Sequence, residues 1–175
     1  DGVALQWKSF NNGDGVAYSY HDETWSSVVL SGAHSQLVEV SSPGITVAGD
    51  RYGGICQNIS GLTPGAPYWF TLNNLVRVSN DVSRPSDFSD AVQWGYVSGA
   101  GADCRAAANV SNWQIVPSGD VTYRLTPGRY NSYATGFLAP SDSLTLFIRT
   151  FKPWPTGKFE LNVNLDGVSL KGYRP

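Results

Sequence analysis

The sequence predicts an all-β chain built from many short strands: a sandwich, a jelly roll or a barrel. Three observations carry this. Apolar and polar residues alternate over short runs, as in Ile55, Gln57 and Ile59 against Cys56, Asn58 and Ser60. Gly, Pro and Asn clusters punctuate those runs, and no ten-residue window shows a helical period. Charged residues make up 15% and aromatics 13%, with 19 glycines, a balance that favours an extracellular β domain. The 175 residues suit one domain, spanning 1–175.

Along the chain, Val3, Leu5 and Trp7 alternate and predict a first strand within residues 1–10, closed by the turn cluster Asn11-Asn12-Gly13-Asp14-Gly15. Residues 16–21 alternate again, with Tyr18 and Tyr20 on one face. Residues 25–30 read as a short strand, and residues 34–40 as another. The central stretch, 53–78, predicts two strands joined as a hairpin. Pro64 presets φ at the second position of the turn, and Gly65 supplies the positive φ that a type II turn needs at the third. Residues 79–90 and 98–109 are long loops, where sites tend to sit on a rigid scaffold. In the second of them Ala106-Ala107-Ala108 suits a single helical turn. Strands follow at 91–97, 112–116, 130–138, 143–150 and 158–170. Between the last two, Pro153 and Pro155 frame Trp154 and bar it from a sheet interior.

Several function classes are excluded or disfavoured. A formal net charge of −2 gives no general attraction to nucleic acid or anionic membrane. No apolar run is long enough for a membrane-spanning helix. His21 and His34 lack metal-ligand spacing, and no nucleophile elbow, phosphate loop or dinucleotide fingerprint occurs. The glutamates are Glu23, Glu39 and Glu160. None forms a local pair, although Glu39 and Glu160 could meet if distant strands adjoin, which leaves a polysaccharide-cleaving enzyme as the least favoured reading. Asp81, Asp87, Asp90 and Asp103 fall in loops and suit turn caps. Cys56 and Cys104 would form a disulfide in a secreted chain and stand as separate thiols otherwise. Asn58-Ile59-Ser60 and Asn109-Val110-Ser111 match the glycosylation sequon.

The aromatic pattern points to sugar recognition. A sugar ring presents C–H groups that stack on Trp or Tyr, while amides and cations bind its hydroxyls. In residues 67–73, Trp69, Thr71 and Asn73 share the face opposite Tyr68, Phe70 and Leu72. Gln57 and Arg77 are candidates to join that face. Trp154 is the candidate for a loop site, and Trp94 is a further platform candidate.

The segment Gln57-Asn58-Ile59-Ser60-Gly61-Leu62-Thr63-Pro64-Gly65, continued by Tyr68, Phe70 and Thr71, resembles the central strands of jelly-roll carbohydrate-binding modules of the family four, nine and twenty-two type. Gly32-Ala33-His34-Ser35 is similar to their A-H-S-G segment, with Gln36 where the family has Gly. Gly54-Ile55-Cys56-Gln57 matches their G-I-x-Q. Residues 144–149 with Lys152 and Trp154 look like the penultimate strand and its loop, and residues 165–170 like the terminus. The resemblance implies a single jelly-roll β-sandwich, secreted or at the cell surface, that binds a polysaccharide or glycan without catalysis, as part of a larger secreted protein. It also implies a structural calcium held by Asp166 and by carbonyls around His34 and Ser35, with Asn11 and Asn12 as candidates for the N-terminal ligand. The alternative is a structural or adhesive module of a surface or filament assembly, self-associating through edge strands or termini.

Overall fold

The computed structural model describes residues 2–13, 15–41, 48–79, 88–99, 101, 103–153 and 159–172. Among these residues eleven strands form in chain order: β1 (Lys8–Asn11), β2 (Ala17–Glu23), β3 (Ser35–Ser41), β4 (Arg51–Ser60), β5 (Pro67–Val78), β6 (Val92–Ser98), β7 (Gln114–Val116), β8 (Val121–Tyr123), β9 (Asn131–Leu138), β10 (Ser143–Lys152) and β11 (Glu160–Gly172). One sheet has the order β1-β4-β10-β6-β7. The other runs β2-β3-β11-β5, and β8 and β9 both lie along the far side of β5. Among the described residues only the β5–β8 pair is parallel, and the other pairs are antiparallel.

The two sheets enclose one apolar core. Ile55, Leu144, Leu146, Ile148, Val92 and Trp94 face it from the first sheet. Val38, Phe70, Leu72, Val76, Leu161 and Val163 face it from the second. Each set occupies alternate positions along its strand, which is why period-two patterning predicts these elements. A polar cross-tie joins the layers, as Thr150 Oγ1 donates to the Val38 carbonyl at 3.1 Å.

Three sequence expectations fail, each for a physical reason. β4 and β5 are not a hairpin but belong to opposite sheets, with residues 61–66 carrying the chain across the end of the sandwich. Their apolar sides meet through the core rather than side by side. The turn itself forms: Ala66 N–H donates to the Thr63 carbonyl at 3.0 Å, and Gly65 has φ 76°. The Val3, Leu5 and Trp7 alternation is no strand. Trp7 N–H closes a turn on the Ala4 carbonyl, Gln6 sits at φ 69°, and Leu5 is 90% exposed while Val3 and Trp7 both pack on the core. Residues 25–30 form a 3-10 turn, Ser26–Val28, instead of a strand.

The outer face of the first sheet is closed. A 3-10 helix, Cys104–Asn109, lies over it, and a Cys56–Cys104 disulfide ties that helix to β4. Phe10, Phe147, Cys56, Ala107 and Val110 form a second, smaller apolar cluster there. Arg149 completes the lid. Its guanidinium sits 3.9 Å from the Trp113 ring centre and 4.4 Å from that of Tyr52, and it donates to Gln93 Oε1. Burial lowers its pKa to about 10.

Candidate functional site

The outer face of the second sheet is half covered. Trp25 and the 3-10 turn lead into residues 30–31, which are tacked down by Asp166. Its Oδ2 accepts from the amides of Leu30 (2.9 Å) and Ser31 (3.1 Å), and its Oδ1 from the Ser31 hydroxyl (3.2 Å). Further along, the Val28 carbonyl accepts from the hydroxyls of Ser35 and Tyr130, at 2.6 and 2.7 Å. Leu75 and Asn164, opposite each other on β5 and β11, are fully buried as a result.

The other half of that face is open, and it is built from three cross-strand rungs on β9, β5 and β11. The first is Gly136, Trp69 and Lys171; the second Ala134, Thr71 and Ser169; the third Ser132, Asn73 and Asp166. Strand geometry gives about 6.6 Å between rungs and 4.8 Å between strands, so the patch spans about 13 Å by 10 Å. Trp69 is 55% exposed and its six-membered ring lies against the backbone of Gly136, with 3.2 Å to the position a Cβ would take. Leu138, 63% exposed, and Pro67 extend the apolar surface beside it, forming a shallow groove of about 560 Å³. Polar groups hold the rest. Thr71 Oγ1 and Ser169 Oγ are 2.7 Å apart. Asn73 accepts from the Ser132 hydroxyl (2.6 Å) and donates to the Asp166 carbonyl (3.3 Å). Gly167, at φ 59°, makes the bulge in β11 that leaves room for Asn73.

This places the predicted residues unequally. Trp69, Thr71 and Asn73 share the open patch. Arg77 lies on the same side of β5 but is only 5% exposed. Its Nε and Nη2 both donate to Asn164 Oδ1 (3.2 and 2.7 Å), and its Nη1 to the Arg124 carbonyl (2.9 Å). Committed to those acceptors and faced by the Trp25 ring at 5.8 Å, it does not belong to the patch. Gln57 lies in the other sheet, on β4, half-buried beside Gln6 and Lys8. Trp94 is a core residue, 3% exposed, whose Nε1 donates to the Tyr133 hydroxyl. Trp154 lies outside the described residues. Sequence reasoning missed Gly136, Ser132, Ser169 and Lys171, because only the strand order brings β9 and β11 beside β5.

The residues expected to hold calcium are engaged otherwise. Both Asp166 oxygens face N–H and O–H donors, an environment suited to an anion and not to a cation. His34 Nδ1 is 2.8 Å from Asp22 Oδ1. The carbonyls near this point are gathered by Gln36, whose Nε2 donates to Gly2, His21 and Leu37 at 3.0, 3.2 and 2.9 Å while its Oε1 accepts from the Ala4 amide at 2.7 Å. Asn11 and Asn12 lie at the other end of the sheet, where Asn12 bonds Tyr52 and Asp50. These donor sets do not fit a calcium ion at Asp166. Among the described residues no group of three His, Cys, Asp or Glu side chains could hold a metal.

Glu39 and Glu160 do come together, on adjacent strands β3 and β11, where Glu39 stands opposite Asn162. Burial, then the Glu160 charge, raise the Glu39 pKa. Glu160 is held by Arg124 at 2.6 Å and by Asn162 Nδ2 at 2.8 Å.

No protein-family model matches the chain, and no curated protein matches it. Solved structures do. The K1 cleaved adhesin domain of Lys-gingipain from Porphyromonas gingivalis superposes with TM-score 0.54 at 14% identity, covering 99% of this chain and 95% of that one. A family 61 carbohydrate-binding module, solved with β-1,4-galactotriose, gives 0.51 at 10%, covering 98% and 92%. The enzymatically active domain of tailspike protein 4 from bacteriophage CBA120 gives 0.52 at 14%; 97% of this chain is covered, but only 20% of that one. The chain therefore has the jelly-roll β-sandwich fold that carbohydrate-binding modules and an adhesin domain share.

Proposed function

We propose that this chain is a non-catalytic module that binds an extracellular polysaccharide or glycan on the β9–β5–β11 face. The observation that carries the reading is Trp69: an indole 55% exposed, its six-membered ring against a glycine, at the end of two rungs of hydroxyl and amide groups. Such a ring offers a stacking surface for one sugar, and Thr71, Ser169, Asn73 and Ser132 offer donors and acceptors to its hydroxyls. Lys171 adds a cation at the rim. The neighbouring fold of a galactotriose-bound module supports the ligand class. The disulfide supports an oxidising, extracellular compartment, and no helix among the described residues is long and apolar enough to cross a membrane. Affinity per site would be weak and raised by avidity in a larger protein.

The test is a glycan array and an insoluble-polysaccharide pull-down, with Trp69→Ala beside the wild type. Binding lost in a variant with an intact circular dichroism spectrum establishes the face. No binding by a folded, monodisperse wild type overturns the reading. One observation favours a second reading, a self-assembling module. Among the described residues β9 pairs on one side only, and it carries no charge across Asn131–Leu138 to deter a further strand. Concentration-dependent polymers in scattering would select it.

A further inference from the structure

Gly136 belongs to two depressions. On the sheet face it lies under Trp69; over the free edge of β9 it borders a second groove of about 250 Å³. The floor of that groove is aromatic: the part-buried rings of Tyr96 and Phe137, stacked at 5.2 Å between ring centres, with the buried Trp94 beneath them. Its rim is polar, formed by Ser111, Asn112 and Gln114 from the segment leading into β7. All three rim residues are exposed, and none has a side-chain hydrogen bond among the described residues. Donors and acceptors left open around a ring-lined floor are the arrangement by which proteins hold a sugar.

The two depressions adjoin along β9, where both are lined by Gly136 and Phe137. At that crossing the strand carries Gly136, whose missing Cβ leaves the Trp69 side open, with Thr135 and Phe137 on the groove side. Among the described residues β9 is also an edge strand, paired with β5 alone, so it presents unpaired backbone groups there.

Resting on the proposed glycan reading, we infer that the site holds two consecutive sugars of a linear chain. One unit stacks on Trp69, and the next passes over the edge of β9 at Gly136 into the groove bounded by Asn112 and Gln114. The ligand class is therefore a linear oligosaccharide and not a single terminal sugar.

The experiment is calorimetry with chain-length series, one to six units, of β-1,4-linked gluco-, xylo- and galacto-oligosaccharides. Wild type is expected to bind the disaccharide or trisaccharide at least tenfold more tightly than the monosaccharide. The double variant Asn112→Ala, Gln114→Ala should lose roughly tenfold on the longer chains and leave the monosaccharide unchanged. Trp69→Ala should lose both. Both polar positions are exposed, so the double variant will fold, and its melting temperature checks this. Binding that is independent of chain length, or unaffected by the double variant, overturns the two-sugar site and leaves the Trp69 reading standing. No binding of any chain by wild type overturns both.

Discussion

The indole of Trp69 rests on Gly136, its cross-strand partner in β9, where a Cβ would come within 3.2 Å of the ring. A glycine in a strand interior costs about 0.5–1 kcal/mol relative to alanine, so its presence there has to be offset by something else. Here the missing Cβ leaves room for the six-membered ring of the indole. Gly136→Ala is expected to leave the melting temperature equal or higher while tilting the ring and weakening glycan binding several-fold. Calorimetry against a bound oligosaccharide checks it. Unchanged affinity in the folded variant would show that ring orientation does not matter.

The Cys56–Cys104 bond closes 48 residues, for which chain-entropy reasoning gives about 4 kcal/mol. At 2–4 °C per kcal/mol for a chain of this size, Cys56→Ser with Cys104→Ser should melt roughly 8–16 °C lower. The 3-10 helix over β4 should exchange its amides faster. Because the Trp69 face lies on the opposite sheet, glycan affinity should hold at temperatures where the variant stays folded. A melting curve that superposes on wild type would sink this account.

The contrast between these two sites shows what the sequence could reveal. Strand patterning needs only neighbours along the chain, so Trp69, Thr71 and Asn73 could be placed on one face, and Thr63 to Ala66 could be assigned their turn. Strand order is different. Nothing local says that β4 crosses to the other sheet, and that crossing is what takes Gln57 away from Trp69. Nor does alternation say what lies above a face: Arg77 has the right parity and the wrong exposure, because the segment around Trp25 and Val28 folds over it. The Val3, Leu5, Trp7 alternation misled for the opposite reason, since a turn with one positive φ returns Val3 and Trp7 to the core without a strand.

Gln36 is expected to act as the clasp of the N-terminal segment. Its carboxamide alone links Gly2, Ala4, His21 and Leu37. Gln36→Ala removes those four hydrogen bonds, a loss of about 2–3 kcal/mol. Urea denaturation measures it, and limited proteolysis should cut the variant first near residues 2–7. Millimolar calcium or EDTA should leave the wild-type melting temperature unmoved, since the groups around Asp166 are donors. A calcium-dependent rise of several degrees would overturn this description.

Glu39 titrates against the fold. Its carboxyl is part-buried and faces Glu160, so its pKa in the folded chain lies above the ordinary 4.5. The folded state thus holds that proton more tightly than the unfolded state does. The stability this supplies is fully present below pH 4.5 and is lost as pH rises through the folded pKa. At neutral pH the charged form is a net penalty, although Arg124, His21 and Arg77 reduce it. Glu39→Gln should therefore raise stability at pH 7 by about 0.5 kcal/mol, the scale of a like-charge cross-strand pair. It should have little effect at pH 4. Paired urea titrations of the two proteins at both pH values decide it: a variant less stable at pH 7 would mean that Glu39 is held by its cations more than it is opposed by burial and Glu160.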